Sequence, residues 1–160
     1  MKGESKMSTY NPAAIFLRKN CYRAAAYCRI SREDGDGESN SISTQKQLLK
    51  DYISCHENME LIDYYCDDGF TGTNFNRPEF QRLMDDIENG KIDTVIVKDL
   101  SRFGRSYLDA GKYLERVFPE KQIRFIAIND GIDNLTQAYD ISMPIKNMIN
   151  ETYARDISNK

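Results

Sequence analysis

One histidine, His56, is all that 160 residues provide, and that scarcity removes the imidazole base on which serine triads depend. His56 lies in a polar stretch near a predicted helix end, where a solvated or capping side chain is expected. The four cysteines, Cys21, Cys28, Cys55 and Cys66, include no C-x-x-C pair. With a single histidine beside them, no protein-built zinc site is expected, and a disulfide framework has little support at this length. All four read as reduced thiols, some of them buried. No apolar run approaches the roughly 18–20 residues of a membrane-spanning helix. The first dozen residues lack the apolar core of a signal peptide and end in Asn11-Pro12. A cytoplasmic chain with no membrane partner is expected. Neither G-x-G-x-x-G nor G-x-x-x-x-G-K-[ST] occurs, which takes away the phosphate cradles of dinucleotide-binding and P-loop proteins.

What the chain does have is enough apolar content, 40%, for one packed core in one domain of ordinary size. The net charge of −3 hides a pattern. Residues 1–32 hold seven Lys/Arg against one acid, residues 33–96 five against fifteen, and residues 97–124 seven against four. An acidic domain does not grip DNA by bulk charge, but clustered arginines can still make a local anion site.

The first twenty residues read as a flexible leader. Arg23 to Ile30 is a short apolar run that suits a buried strand, followed by a loop of Gly, Asp, Glu and Ser through Ser39. A helix fits Ser41 to His56, with Ile42, Leu49, Tyr52 and Ile53 on one face. Leu61 to Cys66 reads as a second strand. Pro78 then opens a helix in which Phe80, Leu83, Met84 and Ile87 form the apolar stripe and Gly90 marks the stop. Thr94 to Val97 is a third strand. A helix carrying Leu108, Leu114, Val117 and Phe118 follows, and a fourth strand, Ile123 to Ile128, ends at the turn Asn129-Asp-Gly131. After Pro144 the spacing of Ile145, Met148 and Ile149 predicts another helix, running to Lys160 without a stop signal. Strands alternating with helices predict an α/β fold: a mostly parallel central sheet of four to five strands with helices on both faces. Ligands of such sheets sit beyond the carboxyl ends of the strands, where Arg29-Ile-Ser31, Asp67-Asp68 and Asp99 to Arg105 converge.

Arginine beside serine is the chemical signal at those ends. Arg29 and Ser31, two apart at a fraying strand end, can reach one site, and Arg102 and Arg105, three apart at a helix start, are expected on one face. Guanidinium forks around a serine hydroxyl suit a phosphodiester under attack, because they bind non-bridging oxygens and stabilise charge developing in the transition state. They also favour the ionised hydroxyl, which a serine nucleophile without histidine needs. Taken singly, an arginine after a strand is most often a surface residue and a loop serine most often a cap. Asp67 and Asp68, adjacent on an extended strand, point apart, so a solvated turn is favoured over a metal pair.

Four motifs in order carry a family resemblance: Tyr27-Cys-Arg-Ile-Ser31, Ser41-Ile-Ser-Thr-Gln45, Asp68-Gly-Phe-Thr-Gly72 through Arg77-Pro78, and Leu100-Ser-Arg-Phe-Gly-Arg105. Together they resemble the serine recombinase family of resolvases, invertases and large serine integrases, over about Arg23 to Lys160. The phrase Asp99-Leu-Ser-Arg-Phe-Gly-Arg105 and the ending Glu151-Thr-Tyr-Ala-Arg155 look most like the large recombinases of transposons and other mobile elements. The resemblance implies that Ser31 attacks DNA to give a 5′-phosphoserine link, with Arg29, Arg77, Arg102 and Arg105 around the scissile phosphate. Gln45 and Asp68 match positions that support the site, and Tyr27, Asp99 and Ser101 accompany them. Many small members carry Asp where this chain has Ser101, which leaves the proton donor to the departing 3′-oxygen open; Asp99 faces the same way only if its strand extends that far.

The implied partners are double-stranded DNA at specific recombination sites and further copies of the chain, a homodimer becoming a homotetramer on synapsis. Neither ATP nor a metal is implied as a cofactor, since the phosphoserine ester keeps the bond energy. The implied organisation is a leader at 1–20, a catalytic domain at 21–137, and at 138–160 the start of a long dimerisation helix, cut before DNA-binding domains. Two rivals remain beside it: a phosphohydrolase with an arginine-rich pocket, and a non-catalytic Rossmann-like regulatory module.

Overall fold

In the computed structural model, residues 20–32, 41–136 and 158 are described. The leader through residue 19, the loop at 33–40 and the helix expected after Pro144 lie outside them. Five strands form one sheet: β1 (Tyr22–Ile30), β2 (Met59–Asp68), β3 (Thr94–Val97), β4 (Arg124–Ala127) and β5 (Ile132–Asp133). Their order is β2-β1-β3-β4-β5, with the first four parallel and β5 antiparallel to β4. β1 is central and almost wholly buried. Its Ala24-Ala25-Ala26 core lets layers close in on both sides of the sheet, and each of the three is fully buried.

The period of two along β1 sorts its side chains. Ala24, Ala26 and Cys28 face α1 (Ile42–Ser54), packing with Leu49 and Ile53. Ala25 and Tyr27 face the other layer, built from α2 (Pro78–Glu88), the single turn α3 (Leu100–Phe103), α4 (Tyr107–Gly111), a π-helical segment Lys112–Val117 and the short α5 (Phe118–Glu120). Helices therefore cover both faces, as the alternation predicts. The second layer is an aromatic cluster in which Phe103 lies 5.0–6.0 Å, centroid to centroid, from Phe75, Phe80, Tyr113, Phe118 and Phe125.

Several expectations are corrected. The single helix expected after Arg105 is a run of short α and π segments, and Leu108, placed on its apolar stripe, is 80% exposed. The π turn adds a residue to the repeat, so a stripe drawn at 3.6-residue spacing drifts off the buried face. β5 is not evident from the sequence because it has only two residues. Asp67 is buried, not part of a solvated turn. His56 does close a helix end: its Nδ1 lies 2.7 Å from the Tyr52 carbonyl, which can only accept, and its ring rests on Tyr52. Among the described residues no helix is long and apolar enough to cross a membrane.

The strand order carries the functional consequence. From β1 the chain crosses to β2 on one side, then returns to β3 and β4 on the other. The reversal opens a crevice beyond the carboxyl ends of β1 and β3, the usual ligand position in such sheets. Arg29 and Ser31 leave β1 there, and Asp99 through Arg105 leave β3.

Candidate active site

Ser31 follows the last residue of β1 and is 4% exposed. It lines a cavity of about 390 Å³ with Arg32, the loop Gly69–Thr71, and Asn74 and Asn76. Gly69 turns that loop with a left-handed backbone, φ 81°, and its N–H donates to the Ile30 carbonyl at 2.8 Å. The last residue before Ser31 is thus fixed to the loop that faces it.

Arg29 is fully buried beside this cavity. Its Nε donates to the Arg102 carbonyl at 3.2 Å, Nη1 to the Phe70 carbonyl at 2.9 Å and Nη2 to the Ser101 carbonyl at 2.8 Å. One guanidinium thereby ties the Gly69–Thr71 loop to α3. The Arg29 main chain is held as firmly: its N–H donates to Gln45 Oε1 at 3.2 Å, and its carbonyl accepts from Gln45 Nε2 at 3.1 Å and from Arg102 Nη1 at 3.2 Å. Gln45 is a fully buried polar residue one turn before Leu49 on the inner face of α1. It matches both hydrogen-bonding groups of a strand residue beyond the reach of β3, whose pairing with β1 ends at Tyr27 and Val97.

Arg102 and Arg105 do not share a helical face. α3 ends at Phe103, Gly104 is extended, and Arg105 lies on the segment beyond. Its N–H donates to the Gly72 carbonyl at 2.7 Å, and a Cβ on Gly72 would stand 2.8 Å from both Arg105 Cγ and Arg29 Nη2. Arg29, Arg102 and Arg105 therefore come together, with Gly72 as the space between them. Gly72→Ala should push the Arg29 fork off its carbonyls. The expected result is a loss of strand cleavage of at least tenfold with the fold retained by circular dichroism; wild-type cleavage would show that the two arginines move aside freely.

Asp99 answers the question its position raised. β3 stops at Val97, yet the Asp99 carboxylate turns back as the cap of α3, accepting from Arg102 N at 3.2 Å and from the Ser101 hydroxyl. Its Oδ1 also lies 3.8 Å from Arg102 Nε. Ser101 is hence joined to a carboxylate, although it carries none itself.

Arg77 sits in a different set. It is 1% exposed and donates from Nε to the Asn74 carbonyl and from Nη1 to the Tyr27 hydroxyl and the Phe103 carbonyl, all at 2.8–2.9 Å. Its Nη2 is buried without a hydrogen-bond partner among the described residues, and its cation lies 4.7 Å from the centroid of Phe75. The Tyr27 hydroxyl in turn donates to Asp67 Oδ2 at 2.8 Å. Burial, more than any neighbouring charge, pushes the Tyr27 phenol far above its ordinary range, so it stays a neutral donor. None of the four arginines lines the Ser31 cavity. Asp68, the family-matched carboxylate, is exposed at the last position of β2.

Asp67 is the residue that sequence reasoning missed. It accepts Glu79 N–H at 3.0 Å and Phe80 N–H at 3.1 Å, besides Tyr27. It thus caps α2 from the neighbouring strand, where the side chain of the cap residue Arg77 makes no capping bond to the helix. The available signal was the pleat: Arg29 and Asp67 are direct partners in the β1–β2 register, so both carbons lie on the face where Tyr27 is buried.

A family model described as "Resolvase, N terminal domain" matches residues 24–160. The chain belongs to the resolvase family. It is 33% identical to the N-terminal catalytic domain of TP901-1 integrase, over 84% of this chain and 98% of that one, with a TM-score of 0.65. A resolvase-family site-specific recombinase from Streptococcus pneumoniae is 27% identical over 86% and 91%, with a TM-score of 0.58. An uncharacterized immunity region protein 3 of Bacillus phage phi105 is 33% identical over 64 residues, which is 40% of this chain and 77% of that protein. The resolvase-family assignment makes the chain a serine site-specific recombinase catalytic domain that acts on DNA at recombination sites. The α/β architecture expected from the sequence is the resolvase-like fold.

Proposed function

We propose that the Ser31 hydroxyl attacks a DNA phosphodiester, forming a 5′-phosphoserine ester and releasing a 3′-hydroxyl. The observation that carries this reading is the placement of Ser31 in an open cavity at the reversal of strand order, two residues after an arginine whose fork is held against α3. Arg29, Arg102 and Arg105 hold the non-bridging oxygens, because a charged phosphate oxygen is a stronger acceptor than the main-chain carbonyls that Arg29 and Arg102 occupy here. Gln45 positions Arg29 and Ser31 through the β1 main chain. Arg77, with Tyr27 and Asp67, supports the loop that carries Asn74 into the cavity wall. Asp68 on the rim and the Asp99–Ser101 pair beside Arg102 complete the surroundings of the phosphate.

The ester conserves the energy of the broken bond, so rejoining needs neither ATP nor a metal. Two copies of the chain on each site and four on synapsis would give the staggered double-strand break from which strands are exchanged. The likeness to an integrase catalytic domain supports integration or excision of a mobile element in the cytoplasm. The test uses the full-length protein with DNA from the ends of its own element, stopped during reaction with denaturant and digested. Mass spectrometry should find a nucleotide on the peptide containing Ser31. An adduct on another residue, or none with DNA bound, would overturn the assignment.

A further inference from the structure

Cys28 and Cys66 play no part in the site described above, yet the sheet sets them side by side. They are direct partners in the parallel register of β1 and β2, so both side chains leave the sheet on the α1 face, where they pack into one cluster. Neighbouring strands lie about 4.7–4.9 Å apart, within the Cα separation of about 4.4–6.8 Å that a disulfide spans. Both cysteines are free thiols, Cys28 fully buried and Cys66 partly exposed. The ionisation of each thiol is governed first by the other.

We propose that Cys28 and Cys66 are a redox-reactive dithiol site that a hydroperoxide converts into an intramolecular disulfide. The neighbouring Cys28 thiol, chiefly, favours the Cys66 thiolate, and the Lys46 ammonium adds to it, against burial and the opposing charges of Glu79 and Asp67. The neighbouring Cys66, with burial, pushes the Cys28 thiol up. Cys66 is thus the attacking sulfur and Cys28 the resolving one. The Cys66 thiolate takes the terminal peroxide oxygen: an S–O bond forms, the O–O bond breaks, and the alkoxide or hydroxide released takes up a proton. Cys28 sulfur then attacks the sulfenic acid, S–S forms as S–O breaks, and the Cys28 proton leaves with hydroxide as water. The sum is two thiols and one hydroperoxide giving a disulfide, an alcohol (water, from hydrogen peroxide) and water. The bridge would join the two strands that lead to Ser31 and Asp68, three and two residues before those side chains.

The full chain is exposed to hydrogen peroxide, alkylated with iodoacetamide in denaturant and digested. The expected product is a cross-linked pair of peptides containing Cys28 and Cys66, two hydrogens lighter than their sum and released by dithiothreitol. It forms before Cys21 or Cys55 is consumed, although both of those are exposed. In Cys28→Ala, which adds one more alanine to an alanine-rich strand, Cys66 should stop as a sulfenic acid that dimedone traps. Cys66→Ser should leave Cys28 as a free thiol. Oxidation of Cys21 or Cys55 ahead of the pair would overturn the proposal, as would sulfinic acid at Cys66 of the unaltered chain without the cross-link. The disulfide is read by mass and does not depend on the strand-cleavage chemistry.

Discussion

Ser31→Ala should abolish DNA cleavage, lowering its rate on the order of 10⁵-fold or more, as removal of a nucleophile does in other covalent enzymes. The physical reason is that nothing else in the cavity replaces it. The other lining residues are Arg32, Gly69, Phe70, Thr71, Asn74 and Asn76; Thr71 brings the one other hydroxyl, and it is paired with Thr73. Thermal stability should change little, because the substitution removes one oxygen from a cavity wall and leaves the main chain of β1 bonded to Gln45. Binding of the full-length protein to its sites should persist. Denaturant-stopped cleavage on a gel measures the first effect and a mobility shift the second. Cleavage within tenfold of wild type would assign the nucleophile elsewhere.

The second large effect falls on stability. Asp67→Ala should cost about 3–5 kcal/mol, the range for stripping one partner from a buried charged network. Three donors lose their acceptor together: the Tyr27 hydroxyl and the Glu79 and Phe80 amides. The two amides lie in the first turn of α2, whose own cap residue provides no substitute. At this chain length the melting temperature should fall by roughly 10 °C. Tyr27→Phe should cost less by itself, and the double variant less than the sum, since the two share one bond. Calorimetry of the four proteins measures the coupling. Additive losses would mean that Asp67 acts on the helix alone.

Much of this is legible in the chain. Thr94 to Val97 is a strand to the residue, because four β-branched residues in a row between polar flanks leave no other pattern. β1, β2, β4, α1 and α2 fall within a few residues of their expected ends, since each has a capping or stop signal or a plain apolar period. The convergence of Arg29, Ser31 and the segment after β3 follows from strand alternation alone. What escapes is whatever depends on partners far apart in sequence. α2 is capped by Asp67, and Gln45 is buried because β1 runs beyond β3, past Val97; neither shows in a local window. Arg102 and Arg105 looked like helix neighbours because the Phe103-Gly104 break is a matter of backbone, with the missing Cβ at Gly104 making room for the Phe75 ring. Leu108 looked buried because the π turn is invisible to a fixed period.

The reversal of strand order at β1 has a consequence for how such a chain can change over generations. The groups nearest the chemistry stand on strand ends locked in register, whereas the segments that join β1 to α1 and β2 to α2 are connections between elements. Lengthening a connection costs little, about 0.6 kcal/mol for each doubling, and moves no strand. Insertions there can alter what the rim meets while Arg29 and Ser31 stay where the pleat puts them. Tolerance of added length should therefore be lopsided: generous in the connections outside Gly72 and Phe75, whose packing fixes them, and close to nil for a single-residue slip in β1, which would turn Arg29 to the α1 side and Cys28 toward α3.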